Sequence, residues 1–255
     1  MKKLGIVITD GVGFRNFIMS DFIAEVVKQF DLVIVYSGLP KTAFKEISHP
    51  KVIIKELEVY VESKPVWFFR KWKELAHLHK HQSFYGMKDN LKTGYPKNNS
   101  PRALLIKILY GITRFMHSDS SILWVEKLQF SSFSSNKITQ SYWSLLKEDQ
   151  PSHVFFTHQR PPFLAPFLYA AQQLKIPTST FIFSWDNLAS KGRMLGTFNH
   201  FLVWSDLMKE ELLYFYPKVL AESVKVVGTP QFEPYVMPKY QTTAEGFYAK
   251  FNLDA

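Results

Sequence analysis

The 255-residue sequence contains no cysteine. That single absence excludes a disulfide scaffold, a thiolate zinc site and a cysteine nucleophile, and it fits a reducing compartment. No window approaches the length of about 18 uncharged apolar residues that a membrane-spanning helix needs. The first apolar run, Leu4–Thr9, is too short for a secretory signal. Asp10 and Gly11 close it without a small-residue cleavage site. The expectation is a soluble or surface-lying chain. Acidic residues are scarce: 22 Asp+Glu stand against 31 Lys+Arg, giving +9 and an isoelectric point near 9.4. A basic balance of that size points to an anionic partner. No GxSxG, Walker A, HExxH or kinase signature occurs, and no internal repeat is present.

Apolar residues are plentiful. They make up 46% of the chain, aromatics make up 16% with 23 Phe, and mean hydropathy is −0.10. A sizeable core can be buried, and disordered or collagen-like compositions are excluded. Short apolar runs recur at Leu4–Thr9, Asp31–Ser37, Val52–Leu57, His153–Thr157, Thr178–Phe183, Phe201–Ser205 and Val224–Val227. Most lack clean alternation, as parallel strands covered on both faces do. Helical patterns lie between them at Asn16–Phe30, Phe163–Leu174 and Asp206–Phe215. The alternation predicts an α/β fold: a Rossmann-like parallel sheet with helices on both faces.

Residues 58–150 break the alternation and read as helices and loops. Between 64 and 110, ten basic residues stand against Glu74 and Asp89, a net of +8 that nearly equals the charge of the whole chain. Trp67, Phe68, Phe69, Trp72, Phe84 and Tyr85 are interleaved with them. The segment predicts either a membrane-surface patch built on Trp67, Arg70, Lys71, Trp72, Lys73 and Lys80, or a nucleic-acid surface. The absence of any nucleic-acid-binding signature favours the membrane. His77, His79 and His81 have i, i+2, i+4 spacing with no nearby carboxylate, which predicts a basic surface and no metal site.

Candidate site residues cluster in turns that follow strands. Asp10-Gly11-Val12-Gly13-Phe14-Arg15-Asn16 joins a strand to a helix, a context suited to holding an anion on backbone N–H groups. Only Gly-x-Gly of the dinucleotide fingerprint is present, and Asn16 stands at the third glycine position, which argues against a nicotinamide or flavin site. Thr157-His158-Gln159-Arg160 ends a later strand. There His158 is a candidate general base or donor, and Arg160 a candidate phosphate partner. Ser184-Trp185-Asp186-Asn187 follows the next strand and places a hydroxyl, an indole, a carboxylate and an amide together. Asp186 can also serve simply as a helix cap, the role expected of Ser205 or Asp206. The stretch 228–235 reads as a linker, and 241–251 as a helix that either folds back or opens a further domain.

Ser184-Trp-Asp-Asn-Leu with Ser190-Lys-Gly, then Phe201-Leu-Val-Trp-Ser, Met208-Lys-Glu-Glu-Leu and Val226-Val-Gly-Thr-Pro-Gln-Phe232, resembles bacterial GT-B type glycosyltransferases of surface polysaccharide synthesis. The resemblance is strongest over 153–235 and weakest in the basic segment. It implies that 1–226 is the N-terminal, acceptor-facing half of a GT-B type fold, with 58–150 a helical basic insertion. Residues 227–255 would be the interdomain linker and the start of a donor domain. It further implies transfer from a nucleotide-sugar donor to a lipid-linked or polysaccharide acceptor at the cytoplasmic membrane face, with no cofactor and no metal. Asp10, His158 or Asp186 would be the base. Arg15, Arg160 or Lys191 would offset leaving-group charge. Gly11, Gly13, Asn16, Ser184, Trp185 and Asn187 would contact substrate. The rival from another class is a non-catalytic Rossmann-like module that binds an anionic membrane or nucleic acid.

Overall fold

Seven parallel strands form one sheet in the computed structural model, which describes residues 1–45 and 47–254. They are β1 (Lys3–Ile8), β2 (Leu32–Ser37), β3 (Val52–Glu56), β4 (His153–Phe156), β5 (Thr178–Phe181), β6 (His200–Val203) and β7 (Val224–Val226). Their order across the sheet is β3-β2-β1-β4-β5-β6-β7. All seven coincide with the apolar runs, and the fold is Rossmann-like α/β. Eleven α-helices accompany the described strands: α1 (Gly11–Phe17), α2 (Phe22–Gln29), α3 (Lys64–Lys80), α4 (Tyr85–Gly94), α5 (Pro101–Thr113), α6 (Asp119–Ser131), α7 (Lys137–Asp149), α8 (Ala165–Gln173), α9 (Asn187–Ser190), α10 (Asp206–Phe215) and α11 (Ala244–Phe251).

The central strands β1, β2 and β4 are largely apolar because both faces are covered, whereas the edge strands β3 and β7 carry Lys55, Glu56 and Lys225 and are partly exposed. Leu4, Ile6 and Ile8 of β1, with Val33 and Val35 of β2, join Phe17, Ile23 and Val27 of α1 and α2 on one face. Val7, Ile34, Tyr36, Val154 and Phe156 point the other way, into a larger core with Tyr142 and Leu146 of α7 and Phe167 and Leu168 of α8. Successive strand side chains alternate between faces, so a run buried on both sides reads as continuous hydrophobicity.

The helix expected over 16–30 is two helices. Asp10 caps α1 by accepting from Gly13 N at 2.8 Å, and the chain leaves the helix after Phe17. Ser20 Oγ then accepts from Phe22 N at 3.3 Å at the start of α2. Ser and Asp side chains compete for backbone groups in this way, which interrupts an otherwise helical apolar stripe.

Residues 58–150 are helical as expected, and lie between β3 and β4. α7 carries the chain back over the sheet against α8, while α3 packs on α6 and α5. After β7, the segment Pro230–Tyr235 returns to the α1–α2 connection. There Asp21 N donates to Glu233 Oε2 at 3.2 Å, and the Tyr240 hydroxyl donates to Met19 O at 3.0 Å. No residue of α11 is buried.

Candidate functional site

β1, β4 and β5 are neighbours in the sheet, and the turns leaving their carboxyl ends meet. The chain passes from β1 to α1 on one face and from β4 to α8 on the other. That divergence makes the strand ends a topological switch point, the place where open parallel sheets form a ligand crevice. A Cβ added to Gly13 would lie 2.5 Å from Thr157 Oγ1, which shows how closely the first two turns approach. Arg160 Nη1 donates to Asn187 Oδ1 at 3.2 Å and ties the β4 turn to the β5 turn. The structure therefore brings Asp10, His158, Arg160 and Asn187 together, with Asp186 beside them.

His158 has a defined tautomer. Its Nδ1 accepts from Arg160 N at 3.0 Å, its ring lies 4.2 Å from that of Phe183, and burial pulls its pKa down to about 4 against the opposing charge of Asp10. The ring is neutral near pH 7. Because Nδ1 is the acceptor, the proton sits on Nε2. In this state His158 keeps an N–H donor on Nε2, while its Nδ1 lone pair is engaged by the backbone.

The carboxylates differ in how much is left to them. Asp10 Oδ1 is engaged as the α1 cap, while Oδ2 is buried without a partner. Asp186 makes no cap bond; its Oδ1 accepts from Ser184 Oγ, and its backbone carbonyl accepts from Ser190 Oγ at 2.6 Å. Arg160 is largely buried. Burial lowers its pKa, opposed by Glu74, Tyr216 and Asp186, yet Arg160 forms no ion pair among the described residues.

The glycine turn is less of an anion cradle than its sequence suggests. The Gly13 N–H is already taken by Asp10, and the missing side chain serves the approach to Thr157. Arg15 is exposed and reaches only Asn16 Oδ1, at 3.4 Å, leaving Asn16 Nδ2 buried and unpartnered. Trp185 is exposed, and Lys191 sits at the carboxyl end of α9.

Buried polar atoms without partners gather on this edge. Beyond Asp10 Oδ2 and Asn16 Nδ2, they include Thr9 Oγ1, Gln159 Oε1, Arg160 Nε and Trp204 Nε1. Such groups are costly inside a protein unless a ligand or water meets them. The sequence assigns Thr9, Gln159 and Trp204 no chemical role of their own. Their only signal there was position, one to three residues beyond a strand.

No protein-family model matches the sequence, and a search of curated proteins gives no match. Among solved structures, the chain is similar to UDP-GlcNAc 2-epimerase from Methanocaldococcus jannaschii. The identity is 12% and the TM-score 0.47, over 98% of this chain and 52% of that one. The chain thus spans about half the length of that enzyme.

The basic segment departs from the expected surface. Lys73 is 1% exposed and donates to Leu195 O at 2.7 Å. Arg70 is clamped by Glu62 and Glu74 at 2.7 and 2.8 Å; burial alone would lower its pKa, but the two carboxylates raise it above the usual value. Lys71 pairs with Glu74 at 2.9 Å, and Lys80 with Asp119. Trp72 is half-buried against the main core, and Trp67 is half-buried with Arg102 over its ring at 4.9 Å. Most of these cations hold the helical segment together and are not free to meet lipid. His77, His79 and His81 are buried as well, not on a basic surface, because α3 is covered on several sides by α5, α6 and α10. Among the described residues no cluster of His, Asp and Glu could hold a metal ion.

Proposed function

We propose that this chain is the acceptor-facing half of a GT-B type glycosyltransferase, with its site in the crevice between the β1, β4 and β5 turns. The observation that carries the reading is the convergence there of one uncommitted carboxylate oxygen, one neutral imidazole donor and one unpaired guanidinium. Asp10 Oδ2 accepts the proton of the acceptor hydroxyl as its oxygen attacks the anomeric carbon, and the bond from that carbon to the nucleotide's phosphate oxygen breaks. The Nε2–H of His158 donates to the reacting sugar. Arg160, which has no carboxylate partner among the described residues, brings positive charge to the border of the crevice. In this reading a second Rossmann-like domain supplies most of the donor site.

The acceptor is lipid-linked or a polysaccharide, presented at the inner membrane face. Leu104, Ile108 and Phe115 are exposed along and just beyond α5, with Lys88, Lys92, Lys97 and Arg114 exposed nearby in sequence. Apolar side chains beside free cations suit a headgroup boundary.

The test is nucleoside diphosphate release from a panel of nucleotide sugars by the product of the complete coding sequence, with extracted lipids as acceptors. Asp10→Asn retains a good helix cap, since Asn and Asp rank alike at that position. It should lower turnover by at least about a hundredfold, in line with loss of a general base. Unchanged turnover would remove Asp10 from the mechanism; no release with any donor would remove the transferase reading.

A further inference from the structure

Beside the crevice lies a second cavity of about 310 Å³, walled by α3, α4, α5 and the turns after β4 and β5. Four cations line it: Arg70, Lys71, Arg160 and Arg193. Three are neutralised within the protein. Arg70 is held by Glu62 and Glu74, Lys71 by Glu74, and Arg193 by Glu126 at 3.4 Å. Arg160 alone has no carboxylate partner among the described residues. Asn187 occupies its Nη1, and its buried Nε has no partner. The Nε–Nη2 edge of the guanidinium, which binds two oxygens side by side, is thus unengaged. Glu74, shared by Arg70 and Lys71, also lines it, and Leu75, Leu78 and Ile106 supply apolar surface.

We propose that this cavity is an anion subsite that takes the phosphate group of an organic phosphate on the Nε–Nη2 edge of Arg160, with the carbon portion against Leu75, Leu78 and Ile106. The inference rests on the transferase reading and deepens it, because it makes the acceptor a phosphorylated molecule. Both a lipid-linked phosphate and a sugar phosphate carry the required group. A buried cation without a counter-ion is costly, and an oxyanion completing its fork removes that cost. The cavity opens onto the same Arg160 that borders the crevice, so a phosphate held here places the adjoining part of the acceptor beside Asp10 and His158.

The experiment is titration calorimetry on the protein with hexyl phosphate, glucose 1-phosphate and hexanoate. Hexyl phosphate should bind and hexanoate should bind at least about tenfold more weakly, since the extra oxygens of phosphate strengthen the charge-assisted contact. Stronger binding of hexyl phosphate than of glucose 1-phosphate assigns a lipid-linked source, and the reverse order a sugar phosphate. Arg160→Gln should weaken the preferred phosphate at least about tenfold. Ile106→Glu places a carboxylate at the half-exposed apolar wall, away from Arg160, and should do the same if Arg160→Gln fails to fold. Asp10→Asn should leave this binding unchanged. No binding of either phosphate, equal binding of hexanoate, or binding unchanged by both cavity variants overturns the proposal. Transfer to an unphosphorylated acceptor without phosphate binding would overturn the subsite alone. Phosphate binding that responds to the cavity variants in a protein without transferase activity would leave the subsite standing and remove the transferase.

Discussion

Lys73 Nζ donates to the backbone carbonyl of Leu195 at 2.7 Å, joining the long helix α3 to the loop that follows α9. Glu126 lies 3.8 Å from the same ammonium and also accepts from Thr197 Oγ1 at 3.1 Å. Burial pulls the Lys73 pKa down to about 8, with Glu126 opposing. These contacts fasten the helical segment to the strand-end turns that form the site.

Lys73→Met keeps the volume but leaves the Leu195 carbonyl without its donor and Glu126 with Arg193 as its one remaining cation among the described residues. It should cost about 3 kcal/mol of stability, the scale of breaking a buried charged contact. Urea unfolding checks this. A loss under about 1 kcal/mol would show that the tether contributes little.

Acid should destabilise the protein well before carboxylates titrate. Burial lowers the His77 pKa well below its usual value, and brings His81 and His158 to about 4. The unfolded chain therefore binds protons below about pH 6.5 that the folded chain does not. Stability contributed by these rings is complete above that pH and falls as pH drops toward 4, by up to about 1.4 kcal/mol per pH unit for each. Urea midpoints at pH 7.5, 6 and 5 should decline steadily. Neither ring nitrogen of His77 has a partner. His77→Phe should therefore flatten the decline without loss of stability at pH 7.5. An unchanged slope would count against burial of a neutral His77.

Two neighbouring glycines should respond oppositely to alanine. At Gly13 the new Cβ meets Thr157 Oγ1, itself bonded to Val7 O at 2.8 Å, so β1 and β4 have little room to yield. Gly13→Ala should cost about 1–3 kcal/mol, as overpacking does. At Gly11 nothing lies within 4 Å of an added Cβ. Gly11→Ala should stabilise by about 0.5 kcal/mol through reduced freedom of the unfolded chain. Melting temperatures of the two variants decide it, and equal shifts would contradict the packing.

Vesicle sedimentation separates free cations from structural ones. Replacing Lys88, Lys92, Lys97 and Arg114 with Glu should abolish binding to anionic vesicles while leaving the unfolding midpoint within about 0.5 kcal/mol, as surface changes do. Lys71→Glu should instead lower stability, because Lys71 balances Glu74. Sedimentation that persists in the fourfold variant would remove the membrane contact.

All seven strands coincide with apolar runs of the sequence; for the central β1, β2 and β4, burial on both faces leaves a continuous apolar mark that needs no partner to be read. The same holds for α10, bounded by the Ser205 cap, whose side chain accepts from Met208 N at 3.3 Å. The turns bearing Asp10, His158 and Asp186 were legible as positions after strands, since the parallel fold puts its loops on one edge. What remained closed was pairing over distance. The sequence shows Lys73 and Arg70 as members of a basic run. Only the approach of Glu126, 53 residues from Lys73, and of Leu195, 122 residues away, turns one of them into a core residue. The His158 tautomer likewise depends on the local backbone path that aims Arg160 N at Nδ1. Local periodicity determined which segments are strands and helices. The tertiary structure alone decided which charges are spent on one another and which, like that of Arg160, have no ion-pair partner among the described residues, because Coulomb pairing follows distance in space and not separation along the chain.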